Sequence, residues 1–60
     1  MDSDTINAMC NSLRRDLCRH GNYEPRAFDL TCKWAIENPH LVSAYKLAIH
    51  YTLELSKLSQ

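Results

Sequence analysis

The chain has sixty residues, with seven Lys/Arg against seven Asp/Glu for a formal charge of zero, and 45% of its side chains are apolar. That length holds one domain, the apolar content is too high for intrinsic disorder, and the charge balance excludes a strongly basic field for phosphate backbones. One glycine and two prolines are too few for the repeated turns of a β fold, so the composition predicts an all-α chain built from a few long helices.

The first helix is expected over about 5–20. Ser3 or Asp4 can cap it, and the early aspartates suit the positive end of the helix dipole. Ile6, Met9, Cys10, Leu13 and Leu17 recur at three- and four-residue steps, which makes a narrow apolar stripe. Gly21 is placed to stop the helix in a left-handed conformation, with Arg19 and His20 at the negative end of the dipole.

A second helix is expected over about 25–37. Pro25 fits its first turn, where the missing N–H has no helical partner anyway, although Glu24 before it is a poor cap. Arg26, Asp29, Lys33 and Glu37 fall on one face and predict a solvated, charge-laced stripe. The rest of this segment is apolar or small, including Ala27, Phe28, Leu30, Thr31, Trp34 and Ala35, a wider arc than one neighbouring helix needs.

Asn38-Pro39 reads as a very short joint, with Asn38 capping a third helix over about 39–58 and Pro39 at its first position. Leu41, Ala44, Tyr45, Ala48, Thr52 and Leu55 mark the predicted centre line of its buried face, flanked by Val42, Leu47, Ile49, Tyr51, Leu53 and Leu58. Ser43, Lys46, His50, Glu54 and Lys57 gather opposite and are expected in water. At 100° per residue the apolar arc covers roughly two-thirds of the helix. Such an arc needs either a position wedged between the other two helices or burial against a partner.

Cys10, Cys18 and Cys32 are an odd set and read as free thiols. Acidic residues near the start stand where an export signal carries positive charge, and no uncharged apolar run is long enough to span a bilayer. The expectation is a cytoplasmic protein with no membrane partner.

The chemistry-bearing motifs are sparse. Cys18 and His20 form a single tight pair, two residues apart and pointing to different sides of a helix, so neither metal nor cofactor is expected. Cys18 has arginines nearby, but it also lies near a helix C-terminus that opposes a thiolate, and no nucleotide or hydrolase motif is present. No catalytic residues and no small-molecule substrate are assigned. Two functions remain. The first is a small interaction or regulatory protein, an adaptor or inhibitor, that acts as a homodimer or on a larger protein partner. Its candidate interface residues are Ala27, Leu30, Trp34, Leu47, Tyr51, Leu53 and Leu58. The alternative is a nucleic-acid-binding regulator using Arg14, Arg15, Arg19 and Arg26, a basic group weakened by the acidic residues on the second helix.

Overall fold

The computed structural model describes residues 2–59, and these form three α-helices: α1 (Ser3–Arg19), α2 (Pro25–Glu37) and α3 (Ala44–Leu58). No strand is present among them. α3 packs most extensively on α2, and α1 lies against both through smaller contacts.

The helix ends follow from local chemistry. Asp2, extended at φ −81° and ψ 167°, accepts the Thr5 N–H through Oδ1 at 2.8 Å and caps α1, one residue before the expected Ser3 or Asp4. Hydrogen bonding from Thr5 holds the Asp2 carboxyl below its usual range. At the other end Asn22 N–H donates to Leu17 C=O at 2.8 Å and Gly21 N–H to Cys18 C=O at 3.2 Å, the paired bonds of a Schellman motif. Gly21 carries the positive φ of 73° that this turn requires. Glu24 caps α2 despite its poor propensity: its Oε1 accepts the Arg26 N–H at 3.2 Å, and Pro25 occupies the first position as expected.

The third helix begins later than the predicted Pro39. Asn38 is the C-cap of α2, where both its backbone N–H and its side-chain Nδ2 donate to Trp34 C=O at 2.9 Å. Its φ of −131° and ψ of 57° are not helical. Its carbonyl accepts from Leu41 N–H at 3.0 Å, closing a turn in which Pro39 takes the position its fixed φ favours. Val42 then turns inward and is buried, and Ser43 caps α3 by accepting the Lys46 N–H on Oγ at 3.1 Å. The joint is therefore a loop over 38–43, longer than the very short joint expected, and α2 and α3 pack together across it.

Ile6 and Cys10 from α1, Ala27, Phe28 and Ala35 from α2, Val42 from the loop, and Leu47 and Tyr51 from α3 make the core. Met9, Leu13 and Leu17 pack against it, so the α1 stripe faces inward as its spacing predicts. Tyr23 caps the cluster with its ring tilted on Phe28, centroids 5.6 Å apart. Tyr51 ties α3 to the α1–α2 connection: its hydroxyl donates to Asn22 C=O and accepts from Glu24 N–H at 2.8 Å. Thr31 is 0% exposed and its Oγ1 has no hydrogen-bond partner, a desolvation cost on the order of 1–3 kcal/mol.

Candidate functional site

The orientation of α3 decides which surface the protein offers. Leu47 and Tyr51 face the core with Leu55 beside them, because only this rotation carries the Tyr51 hydroxyl to its two backbone partners. Apart from Leu55, the predicted centre line is thereby turned outward. Ala44, Ala48 and Thr52 are exposed, and Tyr45 is 75% exposed. Ile49 at 42% and Leu53 at 55% complete a bare apolar stripe along the outer side of the helix. An arc this wide gives no periodicity that says which third points inward, and the hydroxyl decided it.

This stripe continues into grooves on both sides. Tyr45, Ala48, Ile49, Thr52 and Leu53 form a shallow depression of about 260 Å³ on α3 itself. Ala48 also lines a groove of about 220 Å³ against α1, whose far wall includes Met9, Leu13 and Asp16. Ile49 and Leu53 also line one of about 210 Å³ against α2, with Trp34, Lys46 and His50. Shared walls make the three one apolar band across the outer face.

The α2 edge of that band is the best-organised polar cluster. The Trp34 indole stacks on the His50 imidazole with centroids 4.5 Å apart and planes 13° apart. His50 Nε2 lies 3.5 Å from Glu54 Oε1, and Lys57 Nζ donates to the same oxygen at 3.2 Å. His50 and Glu54 are half-buried in the seam between α2 and α3, which corrects the expectation that they sit on the wet side of the helix. Lys46 and Lys57 do remain exposed. The i, i+4 spacing of His50 and Glu54 was visible in the sequence; the ring that draws them inward comes from another helix.

The seven candidate interface residues divide. Ala27, Leu47 and Tyr51 are core side chains and offer no free surface, which corrects their assignment: all three belong to the one buried cluster that joins the helices. Trp34 and Leu53 meet in the α2-side groove. Leu30 and Leu58 are exposed, outside the three grooves. Tyr45 and Ile49, the other large members of the stripe, were placed with the buried arc.

The four arginines are all exposed. Arg19 lies 3.5 Å from Asp16 and Arg26 3.5 Å from Glu24, so two of the four already face carboxylates. Arg14 sits on the α2 side of α1, near enough to Cys32 to favour its thiolate. It points away from Arg15, which is opposite the core stripe. Arg15 and Arg19 share a face of α1 at i, i+4, but Arg19 there is already beside Asp16.

Cys10 is buried, Cys18 exposed and Cys32 half-buried, all as free thiols. Burial, then a hydrogen bond with the Cys10 thiol and the negative neighbours, pushes Cys32 up to about 12, against a smaller pull from Arg14. Among the described residues no three His, Cys, Asp or Glu side chains converge as metal ligands, and no helix is long and apolar enough to cross a membrane. Comparison of the chain with protein-family models, curated proteins and solved structures gave no match.

Proposed function

We propose that this chain is a small non-enzymatic interaction module, a regulator of the adaptor or inhibitor kind, that works by covering the outer face of α3 with a protein surface. The observation that carries this reading is the bare stripe of Tyr45, Ile49 and Leu53, three large apolar side chains on the side of α3 away from its buried Leu47 and Tyr51. Isolated exposed leucines need no explanation, but an apolar band that runs unbroken between two flanking grooves fits the centre of a protein interface. Aromatic residues at its edge, Tyr45 and Trp34, are the kind that anchor such interfaces. The neutral overall charge leaves association unopposed by long-range repulsion.

The nucleic-acid alternative has less support, because Arg19 and Arg26 face carboxylates and Arg14 points elsewhere. The test is sedimentation of the pure chain combined with capture from a native lysate, for wild type and Ile49→Asp. Association with itself or a lysate protein, lost in Ile49→Asp while helical content is kept, supports the interaction reading. A chain that stays monomeric, captures no protein, and instead binds DNA with a steep salt dependence lost on Arg15→Ala plus Arg19→Ala overturns it in favour of the alternative.

A further inference from the structure

The three cysteines do not stand in equivalent places. Cys18 is exposed near the end of α1, whereas Cys10 is buried in the core and Cys32 is half-buried against it. Cys32 has two neighbours on α1, Cys10 and Arg14, which stand one helical turn apart at i, i+4. It therefore faces the middle of α1 from the middle of α2, and its thiol shares a hydrogen bond with the Cys10 thiol. Cys18 lies two turns beyond Cys10, about 12 Å further along the helix, and is outside the reach of this pair. As packing groups Cys10 and Cys32 act as small apolar side chains; what sets them apart is what two adjacent thiols can become.

We propose that Cys10 and Cys32 form an oxidisable pair, closed into a disulfide between α1 and α2 by a low-molecular-weight disulfide of the glutathione class. The thiolate of Cys32, the less covered of the two, attacks one sulfur of the reagent and expels the other as a thiolate, leaving a mixed disulfide at Cys32. Cys10, as its thiolate, then attacks the Cys32 sulfur and releases the second reagent thiolate. The two protons given up by the cysteines end on the two reagent thiols. The protein pair is oxidised by two electrons and one reagent disulfide is reduced. Both steps need α1 to part briefly from α2, because Cys10 is covered and Cys32 keeps its proton in the packed state. α1 is the helix suited to this, since its contacts with both neighbours are smaller than those between α2 and α3. Cys18, exposed and without a second thiol beside it, stops at the mixed disulfide.

The product closes the chain from Cys10 to Cys32 around the Gly21 turn and pins α1 on α2. Closing such a loop restricts the unfolded chain, and the crosslink falls on the helix that the core holds least. The pair thus converts an oxidising environment into a more firmly held α1, and reduction releases that helix again. None of this depends on what covers the outer face of α3.

Incubation of the folded Cys18→Ser chain with excess oxidised glutathione tests it. The expected product has lost two hydrogens in mass and carries no adduct, and peptide mapping places the bond between Cys10 and Cys32. Its helical circular dichroism is unchanged, and its Tm is higher by about 10 °C than after reduction with dithiothreitol. Cys10→Ala and Cys32→Ala, each added to Cys18→Ser and each verified as helical, carry at most one glutathione adduct and gain no such rise. Two adducts on the Cys18→Ser chain, or two thiols left free after days of incubation, overturn the proposal. A bond that forms only in denaturant, or one that lowers Tm, overturns it as well, because the folded helices then do not hold the two sulfurs within bonding reach.

Discussion

At the scale of single residues, Cys32 illustrates how packing overrides composition. The nearby Arg14 favours a reactive thiolate, yet half-burial and contact with the Cys10 thiol outweigh it and keep Cys32 protonated. In the unfolded chain this thiol ionises near 9.0, whereas the folded chain holds its proton up to about 12. Below the lower value both states are neutral and no stability depends on the group. As pH rises through the interval the unfolded state loses its proton first, so folding weakens progressively. Denaturant midpoints compared at about pH 8 and about pH 10 are expected to fall more in wild type than in Cys32→Ser. At the lower pH a thiol reagent is expected to label Cys18 first, with Cys10 and Cys32 following only on unfolding. Labelling of Cys32 as fast as Cys18 in the native state contradicts this account.

Among the elements, α1 and α2 were largely legible. A stripe at three- and four-residue steps, a glycine stop, and a proline start each have one dominant physical meaning, and Ile6, Gly21 and Pro25 carry them out. The start of α3 was not, because two signals competed. Asn38-Pro39 has the form of a cap followed by a first-turn proline, but Asn38 is more favourably used closing α2 on the Trp34 carbonyl. Ser43 lacks the acidic residue three positions on that makes a capping box, since Lys46 stands there, and so gives a weaker signal in the sequence. The structure makes Ser43 the cap, and a specific cost follows. Ser43→Ala is expected to destabilise the protein by about 1 kcal/mol, a Tm reduction on the order of 5 °C for a domain this small. Ser43→Asp retains the oxygen acceptor and adds a favourable charge at the helix N-terminus, so it stays within about 0.5 kcal/mol of wild type. A Ser43→Ala variant indistinguishable from wild type in thermal melts contradicts the assigned boundary.

For the molecule as a whole, the candidate site was half legible for the same reason that α3 was ambiguous. The sequence makes the arc too wide for one neighbour, while which part of it stays bare depends on a hydroxyl reaching Asn22 and Glu24, a contact between distant parts of the chain. Trp34 and Leu53 were identified and do meet, whereas Tyr51 was taken for surface and is the tie that turns Tyr45 and Ile49 outward. A sixty-residue domain that leaves this much apolar surface uncovered stands near the limit of independent stability. Were the proposed protein partner of α3 a second copy of the chain, folding would be coupled to concentration, because each dimer would draw on two folded chains and stabilise neither unfolded one. A tenfold increase in chain concentration then contributes about 1.4 kcal/mol per dimer, or about 0.7 kcal/mol per chain, which raises Tm by about 3–5 °C. Differential scanning calorimetry over a hundredfold concentration series measures this directly. Ile49→Asp removes the dependence and leaves a single, lower Tm at every concentration. A wild-type Tm that is flat across the series is the result expected of a closed monomer, and it counts against pairing as the source of stability.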